Sequence, residues 1–274
     1  MRDFSENRSQ ASVVMTLFAI VTCAVAMNSV GVHAAWGADF RVENKVFQDT
    51  DKEPFSQSTT IFADGIVYDY ITESGEVTVF YVARGRFFLL DTRLKLKTQL
   101  SSKLVKASTD SLKNGADLTK DPLTHFLIAP SFDCQVDDEH GELLFSSPML
   151  EYRVLASQAK TPQVADQYRQ FSDWYARLNT YTRHTLPPFA RMLVNKELGK
   201  RGELPREVHL TLKPKQGLGS RKIRMHSEHN IVSLLGDVDH RRVAETAEHL
   251  AVFEPISFNE YERRQSKFEA DQEK

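Results

Sequence analysis

Residues Ser58 to Lys97 read STTIFADGIVYDYITESGEVTVFYVARGRFFLLDTRLKLK. Short runs of β-branched and aromatic residues follow one another, separated by turn signals. Asp64-Gly65 is the strongest of these, because a type I′ hairpin turn needs positive φ at both central residues. Glu73 to Gly75 and Arg84-Gly85 mark the next two turns. The stretch therefore predicts an antiparallel meander with strands over Phe55–Ala63, Ile66–Thr72, Val77–Val82 and Phe87–Leu90.

These strands are apolar on both faces. Successive side chains of a strand point to opposite sides, so Ile66, Tyr68 and Tyr70 oppose Val67, Asp69 and Ile71. A sheet with one wet face would alternate apolar and polar residues cleanly. The second face must then be covered, and two coverings fit. Helices of the same chain could lie on it. Alternatively, an internal cavity could hold an apolar ligand, with Tyr68, Tyr70, Phe80, Tyr81, Phe87 and Phe88 as ligand-binding candidates.

Outward from the meander, Ala38 to Phe47 reads as a preceding strand with imperfect alternation. Leu94 and Leu96 between Arg93, Lys95 and Lys97 read as a half-exposed strand end. Ser101 to Lys113 switches to helical spacing and is closed by Asn114-Gly115. Leu123 to Phe132 predicts a short helix and an extended segment. Gln135 to Gly141 reads as an acidic turn, followed by a hairpin over Glu142–Ser146 and Pro148–Ala156.

Thr161-Pro162 opens the clearest helix, with a capping residue before proline at the first helical position. Val164, Tyr168, Phe171, Tyr175 and Leu178 make its apolar stripe and Trp174 flanks it. Such a stripe faces a core. As a lid over a cavity, it adds Tyr168 and Trp174 to the ligand-binding candidates. A second helix runs over Leu186–Leu198. Glu207 to Lys213, the region of Ile223 and Met225, and Ile231 to Leu235 read as further strands. Asp237 is expected to cap a last helix, and the charged chain from Tyr261 reads as a frayed tail. The fold class is α+β: a curved antiparallel sheet or incomplete β-barrel, with helices packed against or plugging its concave face. No repeat or linker divides residues 35–274, which read as one domain.

Residues 1–34 have a different character. A polar segment carrying Arg2 and Arg8 precedes the apolar run Ala11 to Met27 and the small-residue site Val32-His33-Ala34. This is the order of a secretory signal peptide. The run is short against the roughly 20 residues that span a bilayer. Cleavage after Ala34 or Ala35 is expected, with retention as an anchor or lipidation at Cys23 as alternatives. Localisation is then periplasmic or otherwise extracytoplasmic, and membrane contact is through the signal peptide or peripheral. Cleavage leaves Cys134 alone of the two cysteines, so the core must hold without a disulfide. The formal net charge of −2 offers no basic footprint for nucleic acid.

The chain contains no Gly-x-Ser-x-Gly elbow, Walker loop, His-Glu-x-x-His or dinucleotide fingerprint. His226, His229, Asp237, Asp239 and His240 have residue types that suit a divalent metal. In a strand, however, His226 and His229 point to opposite faces. No catalytic residue, metal site or cofactor is assigned. Asp133 and the Asp137–Glu139 run would raise the pKa of the Cys134 thiol if close.

The order of signal peptide, aromatic meander, helix, further strands and further helices resembles the periplasmic lipoprotein carriers, the LolA/LolB-like superfamily. The resemblance covers mainly Ala38 to Lys113, with STTIFADGIVYDY and VTVFYV as its most similar pieces. The helices across Thr161 to Gly199 are longer than that pattern. The resemblance implies an incomplete barrel around helices that plug an apolar cavity. Three functions follow in order of expectation. The first is a non-enzymatic carrier for a lipid, acyl chain or lipoprotein. The second is an envelope interaction or sensor protein with a self-packed core. The third is a metal-dependent hydrolase.

Overall fold

Asp64 and Gly65 adopt φ angles of 49° and 72°, the two left-handed residues a type I′ turn requires. The hairpin they close pairs Ala63 with Ile66 and Thr60 with Asp69. The structure, a computed structural model, describes residues 38–114, 121–213 and 222–272. The expected signal segment, the Gly115 cap and the loop from Pro214 to Ser220 lie outside the described residues.

In chain order the elements begin with β1 (Phe40–Gln48), β2 (Ser56–Ala63), β3 (Ile66–Ile71), β4 (Glu76–Tyr81), β5 (Arg86–Asp91) and β6 (Leu96–Ser101). The helices α1 (Ser102–Asn114) and α2 (Pro122–Ile128) follow, then β7 (Asp133–Asp137), β8 (Glu142–Ser146) and β9 (Leu150–Gln158). After α3 (Pro162–Arg183) and α4 (Phe189–Arg201) come β10 (Glu203–Leu212) and β11 (Ile223–Val232). The chain ends with α5 (Asp237–Val252), β12 (Glu254–Pro255) and α6 (Phe258–Gln272).

Among the described residues all the strands form one curved, unclosed sheet, in the order β12-β6-β5-β4-β3-β2-β1-β11-β10-β9-β8-β7. Pairing is antiparallel except at β12, which runs parallel to β6. The fold is thus the α+β curved sheet with helices on its concave face that the strand pattern predicts. The first strand is the join. It pairs β2 on one side and the late strand β11 on the other, linking the meander to the β7–β11 half.

Helices of the same chain cover both faces of the meander. On the concave face, Phe62, Val67, Phe80, Phe87, Leu89 and Leu100 pack with Val164, Tyr168, Phe171 and Leu178 of α3. On the other face, Ile61, Tyr68, Val77, Val79 and Leu90 pack with Phe253 and with Val243 and Leu250 of α5. Lys97, expected on a solvated face, donates to the Leu250 carbonyl near the end of α5, where a cation also complements the helix dipole. The second half has its own core, with Leu143, Phe145, Val154 and Val208 against Ala190, Val194 and Leu198 of α4.

Four expectations are corrected. The acidic turn is confined to residues 138–141, and Gln135 to Asp137 belong instead to β7, an exposed edge strand paired with β8. Edge strands tolerate, and are protected by, charge. Residues 223–232 form one continuous strand, because pairing with both β1 and β10 outweighs a weak apolar pattern. The last long turn of sheet leads into α5 through Gly236, whose N–H is held by the Asp239 carboxylate at 2.8 Å, so Asp237 is not the cap. The tail from Tyr261 is not frayed. It continues α6, where Tyr261 is buried in the concave core and Gln265 reaches Glu76 and Asp91. One buried ring and one amide ladder outweigh the charged composition that suggested fraying.

Removing the Tyr261 ring should therefore destabilise the whole fold. Tyr261→Ala is expected to cost about 3 kcal/mol in urea unfolding, the range for deleting a buried aromatic. A change within 0.5 kcal/mol would mean that α6 does not dock.

Candidate functional site

The concave face changes character where β2 meets β1 and β11. Toward β6 its side chains are Phe62, Phe80, Phe87 and Leu89, which fill the space under α3. Toward β11 they are Ser56, Ser58, Thr60, Asn44 and Ser227. These small polar groups cannot reach the helix, and a cavity of about 520 Å³ opens between them and α3. Its wall is mostly apolar: Val46, Ile71, Tyr152, Tyr168, Phe171 and Leu210 contribute. A groove of about 300 Å³ lies elsewhere, between Tyr70 and α5.

The floor is a continuous hydrogen-bond chain. Ser227 Oγ lies 2.9 Å from His229 Nε2, and His229 Nδ1 lies 2.8 Å from Asn44 Oδ1. The Asn44 amide donates to Thr60 Oγ1 at 3.0 Å and to Ser58 Oγ at 3.2 Å. Thr60 donates to Asp69 Oδ1 at 2.7 Å, and the Tyr175 hydroxyl donates to Asp69 Oδ2 at 2.7 Å. Strand register makes this possible. Asn44 stands opposite both His229 and Ser58, and Thr60 stands opposite Asp69. With the Asn44 nitrogen committed to Thr60 and Ser58, its oxygen accepts from His229 Nδ1–H. Nε2 is then the acceptor for the Ser227 hydroxyl.

Three groups in this chain are displaced from their ordinary titration, and one is Tyr175, whose hydroxyl burial pushes well up. Burial, reinforced by Arg191, lowers the His229 pKa to about 3, so the ring is neutral. Burial raises the Asp69 carboxyl, and the hydrogen bonds from Thr60 and Tyr175 only partly offset this. These effects follow from placing a charge away from water.

Arg191 introduces the one discordant charge. It stands in the first turn of α4, which carries no acidic residue. There a cation is opposed by the helix dipole, at about 0.3–1 kcal/mol. Its charge is felt by Tyr152, Tyr168 and His229. Arg183, also at the cavity, is exposed and paired with Glu76 at 2.8 Å.

Of the eight ligand-binding candidates, the structure places Tyr168 in the cavity wall. Tyr68, Tyr81 and Phe88 pack on the far face, in the core under α5. Tyr70 lies there too, its hydroxyl 2.9 Å from Thr246 Oγ1, and it borders the smaller groove. Phe80 and Phe87 stack on each other at 4.2 Å, with Trp174 6.0 and 6.2 Å away, inside the filled core. Asn44, Thr60, Asp69, Tyr175 and Arg191 escaped sequence reasoning as site residues. The one available signal was Asp69, a carboxylate on the inward side of an apolar strand.

The histidine and carboxylate group does not assemble. His226 stacks on Phe47 at 4.4 Å on the opposite face from His229. Asp239 is tied to Arg41 at 2.7 Å, and Asp237 and His240 are exposed. Among the described residues no three His, Cys, Asp or Glu side chains converge as metal ligands would. Cys134 is exposed on β7, and partial desolvation of its sulfur, with Glu197 and Asp133, raises its thiol.

Tyr175→Phe should leave one Asp69 oxygen without its donor and cost about 1–3 kcal/mol in chemical denaturation, the penalty for an unsatisfied buried acceptor. A neutral result would mean that Asp69 does not depend on Tyr175. Acid should also act through His229. Its unfolded form binds a proton below about pH 6.5, whereas the folded form holds out to about 3. Stability is therefore lost as pH falls between those values, by about 1–2 kcal/mol at pH 5. Thermal melts at pH 7 and pH 5 should show a smaller drop for His229→Gln than for the parent. Equal drops would place the acid sensitivity elsewhere. No protein-family model matches the chain, and no curated protein sequence matches it.

Proposed function

We propose that this chain is a non-enzymatic binding or carrier protein for an apolar ligand, a lipid or an acyl chain, working outside the cytoplasm. The observation that carries the reading is the cavity of about 520 Å³ between the concave face and α3. Its size falls within the roughly 300–1,000 Å³ of small-molecule sites, and such sites combine apolar walls with a few placed polar groups. Each apolar Å² taken from water would contribute about 25 cal/mol. The resemblance to LolA/LolB-like carriers points the same way, with the ligand held between sheet and helix. The signal-like segment before residue 35 supports an extracytoplasmic setting and a lipid or lipoprotein partner. No helix among the described residues is long and apolar enough to cross a membrane.

The carrier reading is preferred to the two alternatives on physical grounds. A purely self-packed envelope protein accounts for the meander, which its own helices cover on both faces. It gives no reason for a polar floor under an open cavity. For hydrolysis, Ser227, His229 and Asn44 have the connectivity of nucleophile, base and orienting group. A general base works best with a pKa near the operating pH. His229, at about 3, is some four units too weak at neutral pH. The chain of hydrogen bonds is better suited to holding the floor rigid.

The protein purified from its own membrane fraction should release a lipid on extraction and take up a fluorescent fatty acid. Ala176→Trp, which places a ring in the cavity from α3, should reduce uptake by about tenfold or more while the far-ultraviolet dichroism is unchanged. A parent protein with no co-purifying lipid and no uptake would remove the basis of the reading.

A further inference from the structure

Five arginines among the described residues are not exposed. Arg41, Arg169, Arg177 and Arg201 each hold a carboxylate, respectively that of Asp239, Asp173, Asp110 and Glu203. Arg191 is the fifth, and no carboxylate of a described residue lies within salt-bridge distance of it. It lines the cavity. Tyr152 and Tyr168, whose rings are buried in the same wall, are close enough to feel its charge. The Tyr152 hydroxyl makes no hydrogen bond to a described residue. The Tyr168 hydroxyl accepts from Arg191, but a hydroxyl is neutral, so the guanidinium faces this space with no counter-charge from a described residue in salt-bridge distance.

The rest of the cavity does not supply a counter-charge. Both oxygens of Asp69 are engaged, by Thr60 and by Tyr175. The Asn44 oxygen is used by His229. Asp173 on α3, whose carboxyl feels Arg191, is engaged by Arg169 at 3.3 Å and Asn195 at 2.9 Å. A half-buried cation is ordinarily paired, and the missing partner here is most simply brought by the ligand.

We propose that the cavity takes a single-chain amphiphile with an anionic head, the head seated at Arg191 with the Tyr152 and Tyr168 hydroxyls beside it. The chain then lies along Val46, Ile71, Phe171 and Leu210. A carboxylate and a phosphate share the acceptor geometry that a guanidinium binds through two parallel hydrogen bonds. An uncharged head would leave Arg191 unpaired, and a cationic head would be repelled. This inference rests on the carrier reading and adds the charge of the head and the residue that selects it.

The test is displacement of the uncharged fluorophore N-phenyl-1-naphthylamine from the purified protein by four amphiphiles with the same sixteen-carbon chain. These are hexadecanoate, hexadecyl phosphate, hexadecanol and hexadecyltrimethylammonium. At least one anion should displace about tenfold more tightly than the alcohol, as expected for a charge-assisted hydrogen bond, and the cation should be weakest. The tighter anion identifies the head as carboxylate or phosphate. Arg191→Gln should bring the anions to the level of the alcohol and leave the alcohol unchanged, and Arg191→Lys should recover part of the preference. The ligand series on the parent protein stands even if a variant does not fold. Equal binding of anion, alcohol and cation overturns the inference and leaves the carrier reading intact. No uptake of the fluorophore and no binding of any chain overturns both.

Discussion

Asn44 is the residue on which the two halves of the sheet meet. It stands on β1, the strand that joins the N-terminal meander to the late strands β7–β11. Its side chain accepts from His229 on one neighbour and donates to Ser58 and Thr60 on the other. A β-sheet slipped by one residue would turn every side chain of β1 to the wrong face. Here the slip would also strand four buried or half-buried polar groups. The amide therefore acts as a register pin, and the pin is connected to α3 through Thr60, Asp69 and Tyr175.

That pin has a consequence for packing. The row of Ser, Thr and Asn side chains is short, and a helix held off the sheet by Phe62 and Phe80 leaves a gap above it. The same sheet thus packs densely under one part of α3 and stands open under another. The opening is lined above by apolar residues and below by satisfied polar ones. Its histidine is neutral and its carboxylate is engaged by Thr60 and Tyr175. Arg191 is the exception, a cation placed against a helix dipole with no carboxylate of a described residue in salt-bridge distance. Its cost has a purpose if the compensating charge arrives from outside.

The strands of the meander, the Asp64–Gly65 turn and the α3 helix were legible because local spacing expresses them. Two-residue alternation, a left-handed turn pair and a four-three apolar repeat each need only neighbouring residues. The tail was misread because its charged composition hides one anchor, Tyr261. Strand β7 was misread because an edge strand needs little apolar content. Among the candidate site residues, aromatic content was a poor guide. Tyr68 and Phe80 are both large and inward, yet they serve opposite faces of the sheet, each closed by a different helix.

The sequence by itself determined the α+β class, the meander, the turns and the amphipathic helices, and it showed that the meander's second face had to be covered. Those are properties of short windows, set by backbone sterics and by which side chains share a face. Only the tertiary structure decided that α3 and α5 cover the two faces of the meander and that the open space lies further along, over β1, β2 and β11. It also decided that Asn44, Asp69, Tyr175 and His229 form one hydrogen-bonded chain and that Arg191 faces the cavity with no carboxylate of a described residue in salt-bridge distance. These depend on strands and helices separated by well over a hundred residues meeting in one register, and no local pattern records that pairing.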